Sequence, residues 1–323
     1  MTAKALGWGV IGATANIAQL AVLPALAASP TARLVAIASQ RRPDGGYEGF
    51  GAERVAPSYA AVLDDPDVEA VYIPLPNSLH AEWTMKAAAA GKHVLCEKPL
   101  ACTALEAGVM IAACDEAGVL LFEAYMTPFH PRSAAVRDIV RSGRLGDLRF
   151  GRTAFTGVLD DATNHRWSPS MGGGALLDVG IYCLSPLLMA AGRSPVDLAA
   201  SAVLTDGGVD ASFSGRLDFG GGFAAAFECS FETPERQQLE IVGTEGAVVM
   251  ERTFTPGVDD TEVTVLHRDG RREIVASPGA DPYLGMIEHV AAVIRGEADA
   301  DRRAADILEV ATLIDRLKVV AGG

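Results

Sequence analysis

The chain has 323 residues, 49% of them apolar, and 41 acidic against 27 basic side chains leave a formal charge of −14 at pH 7. That length suits two domains better than one, and a surface of that sign repels phosphate backbones, so no nucleic acid is expected as a partner. The longest apolar runs, 21–28 and 87–90, fall well short of the ~20 residues that cross a bilayer, and a strand-like run at Leu6 leaves no room for a secretory leader. No membrane association and a cytoplasmic setting are therefore expected. The five cysteines are odd in number and scattered with no CxxC spacing, which argues against a disulfide framework or a zinc site.

From Leu6 onward, short β-branched runs alternate with Ala-rich helical stretches, the pattern of a doubly wound parallel α/β sheet. Leu6–Ile11 is the first expected strand, followed by a helix through about Ala28. A second strand is expected over 33–39 and a buried one at Ala70–Ile73. Asn77 and Ser78 offer a cap for a helix over 79–90, closed by Gly91, and 93–96 reads as the next strand. Thr103 caps a helix to about Ala117, Gly118 ends it, and a strand over 119–122 completes the series. These elements define an N-terminal α/β domain over residues 1–124.

Beyond about Arg132 long strands separated by glycine turns take over, so a boundary belongs near 124–131 and a second, α+β domain over 125–323. Strands are expected at 149–157, 198–204, 211–219, 223–231, 238–242, 247–250, 262–266 and 273–275, forming a large, mainly antiparallel open sheet. Gly220, Gly221 and Gly222 join the clearest hairpin. Helices near 283–295 and 302–320 finish the chain. Phe213, Phe223 and Phe227 could face either side of the sheet, so a homodimer or homotetramer formed through it is expected.

Residues 9–18 follow the first strand and open the first helix, where a pyrophosphate sits against free backbone N–H groups and the positive helix end. Gly12, Ala13, Thr14, Ala15, Asn16 and Ile17 are expected at the phosphates. Only Gly12 satisfies the triple-glycine fingerprint, so its place in the first strand-to-helix step carries the reading, and an ordinary turn is the alternative. The second strand ends in Ser39-Gln40-Arg41-Arg42. An acid there would bond a ribose 2′-OH and repel a 2′-phosphate; none is present and two guanidiniums follow, which favours NADP over NAD. The alternative is that Arg41 and Arg42 are solvated loop charges.

Three stretches carry a family resemblance. Ile73-Pro74-Leu75-Pro76-Asn77 with His80, then Glu97-Lys98-Pro99, then residues 172–180 (GGGALLDVG) with Tyr182 resemble successive signatures of the glucose-fructose oxidoreductase, inositol dehydrogenase and rhizopine-catabolism family. The likeness runs from about Leu6 to Ala190 and more loosely to the end. It implies a Rossmann domain whose nicotinamide is placed by Leu75, Pro76, Asn77, Glu97 and Lys98, with His80 near the nicotinamide ribose. In that family the lysine of the Glu-Lys-Pro step lies beside the nicotinamide and the substrate carbonyl, and the resemblance assigns that place to Lys98. Most members have histidine where Tyr182 stands; tyrosine resembles the largely NADP-using branch of dihydrodiol dehydrogenase and xylose dehydrogenase.

Hydride delivery to a carbonyl builds alkoxide charge that a proton or a fixed cation must meet, and a phenol is a better donor partner when an ammonium lies beside it. Lys98 with Tyr182 meets that need. Asp178 and Tyr182 stand four apart in a helical run and are expected to share a face, Asp178 orienting substrate hydroxyls. A core tyrosine and a helix-start carboxylate are the structural alternatives. Asn164 and Arg166 resemble the family's Asn-x-Arg step at substrate or cofactor; a structural ion pair is the alternative for Arg166. Trp167 either packs on the nicotinamide or fills a core gap, and Tyr125 is expected at the substrate. Thr127 and Pro128 depart from the aromatic and basic residues usual there. No His/Cys/Asp/Glu cluster has ligand spacing, so no metal is expected.

Together these readings describe an NADP-preferring oxidoreductase acting on a small, sugar-like substrate: a sugar, polyol or trans-diol. A ketoreductase acting on a nucleotide-linked keto sugar and a non-catalytic, cofactor-sensing regulatory protein are the alternatives.

Overall fold

A computed structural model describes residues 4–40, 45, 47–299 and 304–322. The chain divides into two compact units, Met1–Met126 with Asp281–Leu308 and Thr127–Ala280 with Glu309–Gly323.

The first unit runs β1 (Leu6–Ile11), α1 (Leu23–Ala28), β2 (Ala32–Ala38), β3 (Arg54–Val55), α2 (Tyr59–Leu63), β4 (Ala70–Ile73), α3 (His80–Ala89), β5 (His93–Glu97), α4 (Ala104–Ala117) and β6 (Leu121–Ala124). The six strands lie in the order β3-β2-β1-β4-β5-β6 and every pairing is parallel. All residues of β1 and β4 are buried, as befits central strands covered on both faces. The order reverses between β1 and β4, the place where open sheets of this kind bind ligands beyond their carboxyl ends. Thr103 caps α4 by accepting from the Glu106 N–H, and Gly118 closes it in the left-handed conformation. The expected single first helix is interrupted: a π-turn at Ala18–Val22 precedes α1, because Pro24 has no N–H to continue a regular ladder.

The second unit contains α5 (Pro131–Arg141), β7 (Leu148–Val158), α6 (Ala175–Asp178), α7 (Gly180–Ala191), β8 (Asp197–Leu204), β9 (Asp210–Asp218), β10 (Ala224–Ser230), β11 (Glu232–Gly243), β12 (Gly246–Glu251), β13 (Thr261–His267) and β14 (Arg272–Ser277). These strands form one eight-stranded sheet, β14-β13-β12-β11-β7-β10-β9-β8. It is antiparallel except where β7 and β10 pair in parallel. Phe213, Phe223 and Phe227 are all buried, so they face the core rather than the open side.

Two sequence expectations need correction. Helix α8 (Pro282–Ile294), assigned to the second domain, belongs to the first unit: it packs on α1 and β2, and Arg295 beyond it donates to the carbonyls of Lys4 and Thr31. Helix α9 (Ala304–Ala321) then begins in the first unit and ends in the second. The helical run through Asp178 and Tyr182 is not continuous. It breaks at Val179 (φ −115°, ψ −10°), and segments Pro169–Asp178 and Gly180–Ala191 meet at 47°. A β-branched residue followed by glycine is a poor place to propagate a helix, so the two side chains do not share one helical face.

Candidate active site

In the first unit β1 ends in a turn that only glycine makes without strain. Gly12 has φ +93°, and a Cβ there would come within 2.8 Å of Leu75 Cδ2 on the neighbouring strand-end loop. The Gly12 and Ala13 N–H groups both bond the Ala38 carbonyl, tying the turn to the end of β2. Beside that tie the Thr14 and Ser39 hydroxyls lie 2.7 Å apart. The chain then enters its first helical turn at Asn16 and Ile17, whose opening N–H groups have no acceptor within the helix. A bare glycine turn, a helix opening, and hydroxyls instead of a carboxylate at the end of β2 fit a dinucleotide, and fit one carrying a 2′-phosphate. Gln40 is exposed, while Arg41 and Arg42 lie outside the described residues.

After β4, Leu75, Pro76 and Asn77 form the next loop, and Asn77 is the first residue of a short 3-10 turn whose cap position is Pro76. His80 is fully buried. Its Nε2 lies 2.8 Å from the Leu75 carbonyl and its Nδ1 3.0 Å from that of Pro99, so it joins the loops after β4 and β5. Burial pushes its pKa down against the pull of those carbonyls. With both ring nitrogens near backbone carbonyls, His80 ties together the loops after β4 and β5, beside which the resemblance expects the nicotinamide ribose.

The Lys98–Pro99 peptide bond is cis. Glu97, expected at the cofactor, is buried and turns back into the sheet: it accepts from the Tyr72 hydroxyl at 2.7 Å and from the Lys98 N–H at 3.2 Å. Burial, then the adjacent Glu97 carboxylate, pushes the Tyr72 phenol well above its ordinary value, so it stays a donor. Glu123, at the end of β6, accepts from the Leu100 N–H at 2.9 Å. Lys98 itself is half-buried, and Tyr125, just past β6, is buried.

In the second unit Asn164 accepts from the Arg166 N–H at 3.1 Å and so starts the turn His165–Trp167. Arg166 Nε donates to Asp178 Oδ2 at 2.7 Å, so two residues assigned to the substrate pair with each other. The pair offers N–H donors and a carboxylate acceptor side by side, the complement of a diol. Trp167 is half-buried and meets Phe231 edge-on at 5.4 Å. Gly174, at φ +119°, is held by its N–H to the Arg166 carbonyl, and a Cβ on it would strike Asp210 Oδ1. Asp210, from β9, accepts the Leu176 N–H at 2.7 Å and thereby caps α6, which ends in Asp178. Burial raises the Asp210 pKa, with that N–H opposing.

Tyr182 sits on α7, buried to 6% exposure. Phe155 meets its ring edge-on at 5.1 Å, Phe254 lies 5.7 Å away, and the two phenylalanines stack on each other at 5.4 Å. Gln237 fixes Phe254 by accepting both its N–H (3.0 Å) and that of Thr255 (2.9 Å). Pro186, four residues on, removes the helical hydrogen bond that would end on the Tyr182 carbonyl. The structure therefore brings Asn164, Arg166 and Asp178 together in one unit and gathers Gly12, Leu75, His80, Glu97 and Lys98 at strand ends of the other. Sequence reasoning did not reach Tyr72, Glu123, Asp210, Gln237 or Phe254, whose partners lie far from them in the chain. Among the described residues no group of His, Cys, Asp and Glu is arranged to hold a metal ion.

Residues 6–125 match the oxidoreductase family model of GFO/IDH/MocA proteins, described as an NAD-binding Rossmann fold, and residues 133–249 match the GFO/IDH/MocA C-terminal domain. A D-xylose 1-dehydrogenase (NADP(+)) of Haloferax volcanii is 37% identical over 90% of each chain. A dTDP-3,4-didehydro-2,6-dideoxy-α-D-glucose 3-reductase of Streptomyces violaceoruber is 36% identical over 99% of this chain and 96% of its own. A 3-ketoreductase from Actinomadura kijaniata, solved with NADP and TDP-benzene, superposes with a TM-score of 0.89 at 33% identity over 98% of each chain. That reductase has also been solved with a lysine replaced by alanine or glutamate and with a tyrosine replaced by phenylalanine, two positions as far apart in its chain as Lys98 and Tyr182 are here. With both halves of the sequence matched to one family and relatives this similar along nearly its whole length, the chain belongs to the GFO/IDH/MocA family of oxidoreductases.

Proposed function

We propose that this chain exchanges a hydride between NADP and a sugar, polyol or trans-diol, with NADP preferred to NAD. One observation carries the reading: Lys98 and Tyr182 stand at the separation of the lysine and tyrosine probed in the ketoreductase. The cofactor preference is supported by the strand end at Ser39 and Gln40, which carries no acid, and by the two NADP-linked relatives. Arg41 and Arg42 are assigned to the 2′-phosphate.

When bound, NADP supplies or takes up the hydride. Tyr182 holds the proton that passes to or from the substrate oxygen, its ring kept in place by Phe155 and Phe254. Lys98 sets a positive charge against that oxygen, which favours the alkoxide and eases loss of the phenolic proton. Asp178, oriented by Arg166, accepts a neighbouring substrate hydroxyl, and Asn164 and Tyr125 complete the substrate contacts. Trp167 is assigned to the edge of the nicotinamide region. Lys98→Ala and Tyr182→Phe should each lower kcat by about 10²- to 10⁴-fold, the usual range for a positioned acid–base group.

The test is a nicotinamide-fluorescence titration followed by turnover of aldoses, inositols, diols and keto sugars. NADPH should bind more tightly than NADH, and Arg41→Ala should remove most of the difference. Equal affinities in the native chain would refute the 2′-phosphate assignment. A second reading, reduction of a keto group on a nucleotide-linked sugar, is favoured by one observation: the dTDP-sugar reductase matches nearly the whole chain and the xylose dehydrogenase a smaller share. Turnover of a dTDP-linked keto sugar but of no free sugar would select it. We further propose a homodimer or homotetramer built on the eight-stranded sheet, in a cytoplasmic setting that suits five free cysteines.

A further inference from the structure

Strand β5 ends at Glu97, and the next three residues turn away from the sheet, so their backbone groups lose the ladder that would satisfy them. Each is met by a buried side chain. Tyr72 pairs with Leu95, two residues before Glu97, so Tyr72 and Glu97 project from one face of the sheet. Cys96 pairs with Glu123, which places Glu123 on the opposite face. From the first face Glu97, held by the Tyr72 hydroxyl, takes the Lys98 N–H; from the second, Glu123 takes the Leu100 N–H; and His80 lies against the Pro99 carbonyl between them.

We propose that Tyr72 and Glu123 are positioning residues for Lys98, gripping the Lys98–Pro99–Leu100 turn from the two faces of the sheet so that the ammonium starts from a fixed point. This rests on the catalytic reading of Lys98 given above. Neither side chain touches substrate or cofactor in this account; both act on the backbone that carries the lysine. Two acids buried at one strand end cost stability, which the two N–H bonds and the phenol offset only in part. Their return is geometric, because a misplacement of ~1 Å at a reacting group lowers turnover by about 10²-fold.

The experiment compares Tyr72→Phe, Glu123→Ala and Glu123→Gln with the native chain, alone and combined with Lys98→Ala. Amide hydrogen exchange at Lys98 and Leu100 reads the grip itself. Exchange should quicken at Lys98 in Tyr72→Phe and at Leu100 in Glu123→Ala, and Glu123→Gln, which keeps an acceptor oxygen, should recover most of the protection. In steady-state kinetics Tyr72→Phe and Glu123→Ala should lower kcat roughly 10-fold or more while the NADPH Kd changes less than about two-fold, and neither should lower the residual rate of Lys98→Ala further. Unchanged exchange overturns the grip whatever the kinetics show. The same fractional loss on top of Lys98→Ala, or a loss that only tracks the folded fraction, assigns both residues to general stability and overturns the proposal. Native turnover in Lys98→Ala alone, with exchange altered as expected, overturns the catalytic reading and with it the purpose of the grip.

Discussion

Gly174 shows how one absent side chain holds several parts of the site. Its φ of +119° is accessible to glycine alone at low cost, and the space a Cβ would occupy is filled by Asp210, the carboxylate that caps α6. Gly174→Ala would add backbone strain of about 1–3 kcal/mol and displace a cap worth about 0.5–2 kcal/mol. Gly192, at φ +63° with nothing near its missing Cβ, provides the control: Gly192→Ala carries only the left-handed penalty of about 1–2 kcal/mol. Urea denaturation should rank Gly174→Ala well below Gly192→Ala, and because α6 ends in Asp178 only the former should also raise KM for the sugar. Equal midpoints would mean that Asp210 yields without cost. The glycine triplet was legible in the sequence as a motif, but its reason was not. Asp210 lies 34 residues from the N–H it caps, and nothing local announces that a strand will deliver it there. The same distance hid Glu123, 23 residues from Leu100. Lys98, Glu97 and His80 were visible because their motifs are contiguous; Tyr72 and Glu123 were not, because only the folded sheet brings them to that turn.

Elements with local punctuation were read nearly at their bounds: α4 between Thr103 and Gly118, and the β9–β10 hairpin across its three glycines. Helix α5 was missed although Pro131 stands at its first turn, His130 caps it and Gly143 follows its end. Its buried face is Arg132, Val136 and Ile139, and an arginine in that row hides the apolar period. The parallel pairing of β7 with β10 was equally unreadable, since α6, α7, β8 and β9 come between them. At the far edge of the sheet Glu273 on β14 accepts from His267 Nε2 at 2.7 Å and from Arg144 at 2.9 Å. Those bonds, His267's first, hold its carboxyl down to about 2 from the ordinary 4.5. A depressed acid stabilises the fold above its unfolded value and loses that contribution as pH falls from about 4.5 towards about 2. Glu273→Gln should therefore flatten the acid limb of stability in that window, read as urea midpoints at successive pH values. The difference should shrink in high salt, because the carboxylate is about a third exposed and its arginine partners reach solvent. Parallel acid limbs for variant and native chain would show that the cluster contributes nothing.

At the scale of the molecule the charge of −14 sets two copies against each other unless they meet where that charge is locally cancelled. The face of the eight-stranded sheet turned away from α7 is such a place. Arg152 and Arg236 pair with Glu228, Arg216 pairs with Asp197, and Glu240 lines the same face, so three cationic and three anionic groups offset one another across neighbouring strands. Between them lie small side chains, among them Ala199, Ser201, Ser214 and Ala226, around a shallow concavity of about 620 Å³, and Phe150 on its rim is 43% exposed. A shallow, locally neutral surface with one aromatic anchor is suited to an isologous contact, in which each Phe150 buries against the other copy. Sedimentation at micromolar concentration should then show a dimer or larger, and Phe150→Glu should shift it towards monomer by removing the anchor and adding one negative charge per copy. The urea midpoint of the dissociated variant should change little, because Phe150 contributes little to the core of its own chain. A native chain that sediments as a monomer would remove the sheet face from the assembly and leave the cofactor and substrate assignments standing.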